Sequence, residues 1–290
     1  MGTVDNGIAF TVGTNKFWLA STAYGAYQCL QGTNDWTWVS LPNSYNDEAY
    51  LKAAGEVLFF TQAQTAFSMD YGSNWKVTNG LHKFDNFAYD VGTWYARKGL
   101  EVWSSVNLTD WVHSIADLPA GTTYWAFLGG TFFCNAGAGV YTYNSGTNQW
   151  ALSGTLPSGA YTLFIHNNVL YGHLTNAADL IRLDNFGQAP QTYTGVFASD
   201  PNVVSFMSAP GKLYAVSQSN LLISNDDGLS FTKKPWPGNM SDAKDGCLYF
   251  DNGFVINNDD AAMYYSHGEA ETWTKVMNGY SGYPNYAHNG

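Results

Sequence analysis

The sequence predicts an all-β fold, a single seven-bladed β-propeller occupying residues 1–290. Three observations lead there. A repeat of about forty residues recurs along the chain, each repeat resolves into four short strands, and the composition suits sheets and turns. Aromatic residues make up 17% of the chain and charged residues only 12%, and the chain has 30 Gly. Aromatic and β-branched side chains fit a pleated, half-buried surface, while Gly and Asn fit tight turns.

The repeat is set by one apolar run per unit: FWLA (17–20), VLFF (57–60), TWYA (93–96), TFFC (131–134), VLYG (169–172), KLYA (212–215) and GFVI (253–256). Their starts differ by 40, 36, 38, 38, 43 and 41 residues. The sixth unit shows the pattern: strands at 203–208, 213–217, 221–225 and 229–235, with Asp-Asp-Gly closing the last hairpin. Asp-Gly between two apolar runs favours a hairpin turn. The fourth strand is expected to begin around Trp36, Trp75, Trp111, Trp150, Tyr193, Phe231 and Trp273, where an aromatic would pack between neighbouring sheets. Blades are expected at about 7–42, 46–80, 86–119, 123–157, 160–198, 203–237 and 246–278, with a tail at 279–290. Radial closure protects sheet edges that an open array would leave bare. The first strand of each blade, such as 123–128 or 203–208, would line the channel.

Charge and motifs exclude several classes of function. The net charge is −11, and Arg occurs only at positions 97 and 182. A nucleic-acid binder needs a basic footprint, so neither nucleic acid nor an anionic membrane is an expected partner. No stretch reaches the 18 or so apolar residues of a membrane span. No basic segment followed by an apolar run marks a secretory signal. Cys29, Cys134 and Cys247 fall in blades one, four and seven, match no metal spacing, and are expected free and buried. The histidines form no HxH or HExxH pattern, and no phosphate-binding Gly loop or GxSxG occurs, so no metal or other cofactor is expected. His166 and His173 flank one hairpin and read as a surface pair rather than as two metal ligands. The triplets Asn107-Leu-Thr and Asn239-Met-Ser have the form of glycosylation acceptors, read as chance without a secretory route.

Two turns carry a family resemblance. Ser68-Met-Asp70-Tyr-Gly72-Ser-Asn-Trp75 and Ser224-Asn-Asp226-Asp-Gly228-Leu-Ser-Phe231 fit S-x-D-x-G-x-x-W, with Phe for Trp in the second. The pattern resembles the Asp-box, or BNR, repeat of sialidase-like propellers. Unit seven keeps Ser266, Gly268 and Trp273 with a shifted spacing, and units one, three and four keep little beyond the Trp. The resemblance implies a structural role for both boxes, on the face away from any active centre. It also implies that sialidase chemistry would need three arginines to grip a substrate carboxylate, and two arginines cannot supply them.

What remains is a surface for binding. Glycosidases need paired carboxylates, and the acids expected on the loop face, Asp47, Glu48, Glu101, Asp179, Asp259 and Asp260, share no motif and read as solvated charges. Aromatic faces with polar neighbours suit neutral glycans or a protein. The ligand-binding candidates are Tyr24, Tyr45, Asp47, Arg97, Glu101, Tyr124, Trp125 and Asp259. The low Lys and Arg content and the Asn-, Gly-, Thr- and Tyr-rich β sequence resemble bacteriophage structural proteins. The expected function is a non-catalytic binding or scaffold propeller of a virion, in a tail, fibre or capsid appendage, whose partners are other virion or assembly proteins or a host surface glycan. The alternatives are a glycoside hydrolase of sialidase-like fold acting on a neutral glycan, and a cellular lectin, cytoplasmic or extracellular.

Overall fold

A computed structural model describes residues 4–12, 15–22, 25–30, 36–39, 50–54, 57–61, 64–70, 72–80, 82–157, 161–174, 177–236, 247–250, 253–258, 262–267 and 270–277, with side chains chiefly over 54–236. Every sheet among the described residues is four-stranded, antiparallel, and built from consecutive strands. The first comprises β1 (Val4–Val12), β2 (Asn15–Thr22), β3 (Gly25–Leu30) and β4 (Trp36–Val39). The second comprises β5 (Tyr50–Ala54), β6 (Val57–Thr61), β7 (Thr65–Ser68) and β8 (Lys76–Val77). The third holds β9 (Asn86–Asp90), β10 (Thr93–Lys98), β11 (Glu101–Ser105) and β12 (Val112–Ile115). The fourth holds β13 (Thr122–Leu128), β14 (Thr131–Ala136), β15 (Gly139–Asn144) and β16 (Gln149–Thr155). The fifth holds β17 (Tyr161–His166), β18 (Val169–Leu174), β19 (Leu180–Leu183) and β20 (Gln191–Tyr193). The sixth holds β21 (Val203–Ala209), β22 (Lys212–Ser217), β23 (Asn220–Ser224) and β24 (Thr232–Pro235). The last described sheet holds β25 (Cys247–Phe250), β26 (Gly253–Asn258), β27 (Ala262–His267) and β28 (Thr274–Met277).

All the apolar runs of the repeat fall on the second strand of a sheet. In β6 and β22 its residues are buried almost without alternation, whereas in β10 most are half-buried. The chain divides into two compact units, residues 1–115 with 277–290, and residues 116–276. In the first unit β1 contacts β5 and β5 contacts β9; in the second, β17 contacts β21 and β21 contacts β25. First strands of the first three sheets, and of sheets five, six and the last, therefore lie side by side.

The core forms layers between consecutive sheets. In the first unit Ala54, Val57, Phe59 and Phe67 of sheet two meet Phe84, Phe87, Ala96, Leu108 and Trp111 of the next, with Phe59 and Phe87 stacked at 3.8 Å. In the second unit one layer joins Leu128, Phe133 and Val140 to Leu163, Leu170 and Ile181. Another joins Phe164, Tyr171 and Leu180 to Phe206, Leu213 and Leu222. Cys134 is fully buried on β14; the side chains of Cys29 and Cys247 lie outside the described ones.

The expected aromatic stands at or within one residue of the start of the fourth strand at Trp36, Trp75, Trp111, Trp150, Phe231 and Trp273. Tyr193 is the exception. It ends β20.

The turns before Trp75 and Phe231 share one hydrogen-bond plan. The buried Ser68 hydroxyl donates to Asp70 Oδ1 (2.8 Å) and accepts the Gly72 amide (2.7 Å). Asp70 then accepts the Asn74 amide (2.8 Å), and Trp75 Nε1 donates to the Gly72 carbonyl (3.0 Å). Ser224, Asp226, Gly228 and Ser230 repeat these contacts at 2.7, 2.8 and 2.9 Å. Gly72 and Gly228 both have φ +90°, a region that disfavours any side chain. Burial alone would raise Asp70 and Asp226, but hydrogen bonds from Asn74 and Ser68, and from Ser230 and Ser224, outweigh it and hold both carboxyls below the usual range.

Two further units keep more of this plan than their sequences suggest. In unit three the Ser105 hydroxyl accepts the Leu108 amide (2.9 Å), Asn107 Oδ1 accepts the Asp110 amide (2.8 Å), and Trp111 Nε1 donates to the Leu108 carbonyl (2.9 Å). The turn is one residue shorter, and Leu108 takes the positive φ (65°) where Gly stands elsewhere. In unit seven the interval from Ser266 to Trp273 is unshifted, and Ala270 (φ 59°) holds the Gly position. The shift of spacing there is that of Gly268 alone, two residues after Ser266 where Gly72 is four after Ser68.

The hydroxyl, not the carboxylate, is the buried member of the turn. Ser68→Ala and Ser224→Ala are each expected to cost about 2–3 kcal/mol, because a buried amide loses its partner. Asp70→Ala and Asp226→Ala, whose partners other than the serine hydroxyl are exposed, should cost about 1 kcal/mol each. Urea denaturation of the four variants checks the order; a larger loss at the aspartates would refute it.

Candidate functional site

The second unit contains a polar chain between sheets five and six. His166 ends β17 and is followed by Asn167 and Asn168, both left-handed (φ 47° and 59°), as a two-residue hairpin turn requires. Ser208 sits one residue before the end of β21. Asp227 lies in the turn just described, between Asp226 and Gly228, at φ 56°. The carbonyl of Asp227 accepts the hydroxyl of the buried Tyr171 (3.1 Å), which fixes the turn against sheet five.

These elements bring three functional groups into line. His166 Nδ1 is 2.8 Å from Ser208 Oγ, and His166 Nε2 is 3.2 Å from Asp227 Oδ1. Asn167 Nδ2 donates to the same carboxylate oxygen (2.9 Å). A carboxylate only accepts, so Asp227 sets the proton of the neutral ring on Nε2, which Asn167 Nδ2 also approaches at 3.2 Å, and leaves Nδ1 to accept the Ser208 hydroxyl. His166 is wholly buried, Ser208 is exposed, and the Asp227 side chain is 44% exposed. Burial disfavours the imidazolium more than Asp227 favours it, so His166 is held below the usual imidazole value and stays neutral at pH 7. Arg182 rims the cluster. Its guanidinium binds Asp184 (2.7 Å) and Tyr193 Oη (3.2 Å), lies 4.0 Å from Asp227 Oδ2, and stacks over the Tyr171 ring at 5.8 Å.

His166 and His173 are not a surface pair, contrary to expectation. Both are fully buried and stand at opposite ends of their hairpin, His166 paired with Val169 and His173 with Thr162. His173 Nε2 faces the Ala177 carbonyl (3.1 Å), and its ring is edge-on to Phe197. Among the described residues no group of three His, Cys, Asp or Glu stands close enough to hold a metal ion.

The binding candidates separate. Arg97 and Glu101 stand near each other at the β10–β11 turn; Arg97 Nε donates to the Gly99 carbonyl (2.6 Å), and Glu101 accepts Trp103 Nε1 (3.0 Å). Tyr124 packs on Phe133, and burial pushes its phenol up to about 12. Trp125 is only 4% exposed, against Phe132, so it offers no stacking face. Tyr24, Tyr45, Asp47 and Asp259 lie outside the described residues. Ser208 and Asp227 were missed because neither carries a local motif. The sole signal was the second acid of Asp226-Asp227-Gly228, one more than the turn itself needs.

No protein-family model and no curated protein matches the chain. Solved structures do. YCF48 bound to a D1 peptide superposes with a TM-score of 0.63 at 13% identity, over 86% of this chain and 89% of that one. YCF48 from Cyanidioschyzon merolae gives 0.63 at 10% identity, over 91% and 95%. Sqt1 of Saccharomyces cerevisiae gives 0.60 at 10% identity, over 96% and 89%. The fold defines the class of this protein as a β-propeller. At these identities the likeness establishes fold and leaves function to the residues.

Proposed function

We propose that this chain is a binding and scaffold β-propeller that engages a protein partner, its sheets closing as seven blades of one ring, and that it serves as a component of a bacteriophage virion. The order of the sheets and the contact of successive first strands within each unit support the ring. The two matching turns support kinship with Asp-box propellers.

The observation that carries the binding reading is the fold, a set of four-stranded sheets whose connecting turns are open to contact a partner. YCF48, of the same fold, was solved bound to a D1 peptide. In the first unit the contact candidates are the apolar tips Met69, Val91 and Val106, with Val91 90% exposed, together with Arg97 and Glu101 at the opposite end of their sheet. The virion setting rests on composition, above all the 12 Lys and Arg in 290 residues.

The test has two arms. Mass spectrometry of purified particles from the encoding genome should find the chain in stoichiometric amount, and Met69→Asp with Val106→Asp should weaken its retention without lowering the melting temperature. Absence from the particles overturns the virion setting. Hydrolysis of neutral glycans that is lost in Asp47→Asn, Glu101→Gln or Asp259→Asn overturns the scaffold reading in favour of a glycosidase.

A further inference from the structure

The chain from Ser208 through His166 to Asp227 has the proton order of an activated nucleophile, and it stands independently of the binding reading. A clasp that only tied two sheets together would bury the hydroxyl along with the ring. Here the imidazole is wholly buried while the serine is exposed, so the base is shielded from water and the nucleophile is accessible. Nδ1 is the nitrogen free to accept, and it is the one at 2.8 Å from Oγ. Asp227 holds the proton on Nε2 through Oδ1, and Arg182 lies 4.0 Å from its Oδ2. The acid stands at Nε2 and the serine at Nδ1, the reverse of the ring orientation in serine proteases, with the roles of base and orienting carboxylate kept.

We propose that Ser208 is a base-activated nucleophile that accepts an acyl group from small activated carboxylic esters, with His166 as its base and Asp227 as the positioning residue. In the step, the Ser208 hydroxyl proton moves to His166 Nδ1 as Oγ bonds to the ester carbonyl carbon. The tetrahedral adduct collapses by breaking the bond to the alcohol oxygen, and the proton on Nδ1 passes to that oxygen. The products are acyl-Ser208 and a neutral alcohol, with His166 returned to its starting form.

The test is acetylation of the full chain by p-nitrophenyl acetate, followed by peptide mass mapping, with the exposed Ser199 and Ser219 as internal references. Ser208 should acetylate faster than either reference, by at least about tenfold given what a positioned base contributes. Asp227→Asn, which keeps the shape of the side chain, and His166→Gln should each remove that advantage. The rate at Ser208 should rise with pH and level off with a midpoint below the ordinary imidazole value of 6.5, the direction in which burial moves His166. Should His166→Gln fail to fold, Asp227→Asn and the pH profile decide. Labelling of Ser208 no faster than of Ser199 and Ser219, or unchanged in a folded Asp227→Asn chain, overturns the proposal.

Discussion

Gly228→Ala should destabilise the protein by about 2–5 kcal/mol, combining the strain of a side chain in the left-handed region with overpacking. Gly228 has φ +90°, and a Cβ there would sit 2.6 Å from Leu180 Cδ2 and 3.3 Å from Leu213 Cδ2. Both leucines are wholly buried in the layer between sheets five and six, so neither can swing aside. Gly92 supplies the control. Its φ is +80°, yet nothing lies within 4 Å of the position a Cβ would take, so Gly92→Ala should show backbone strain alone, about 1–2 kcal/mol. Urea denaturation followed by Trp fluorescence measures both. Equal losses would mean that the turn does not pack against Leu180. Asp227 precedes Gly228, so the same substitution should also displace the carboxylate from His166.

The features legible in the sequence are those carried by local order. Second strands were readable because they are short apolar runs at a near-constant interval, and the aromatic near the start of the fourth strand because, Tyr193 aside, it recurs 18 to 20 residues beyond the start of each run. The two full serine–aspartate turns were readable as contiguous motifs. Their relatives were not. Leu108 and Ala270 adopt a backbone conformation that sequence normally announces with Gly, and tertiary packing, not propensity, places them there. The polar chain was illegible for a different reason. Ser208 and Asp227 lie 42 and 61 residues from His166, on separate sheets, and only the packing of one sheet on the next joins them. His166 and His173 look like surface residues because they sit at hairpin ends, but the neighbouring sheet covers both. Tyr124 and Trp125 likewise read as a displayed aromatic pair, whereas both are packing residues of β13.

That sheet-to-sheet packing should also govern stability. Phe164 of β17 and Phe206 of β21 are buried and stack across sheets five and six with centroids 4.2 Å apart and planes within 12°. Phe197, His173 and Tyr171 surround them, so the space left by truncation is walled by ordered neighbours. Phe206→Ala and Phe164→Ala should each cost about 3–5 kcal/mol, the loss expected when a buried phenylalanine leaves a cavity that cannot collapse. Removing both should cost less than the sum of the single losses, because the stacking contact is lost only once. The coupling should be on the order of 1 kcal/mol. A double-mutant cycle in urea gives this number directly. Strict additivity would show that the two sheets are stabilised separately, and that their contact plays no part in holding Ser208 and Asp227 against His166.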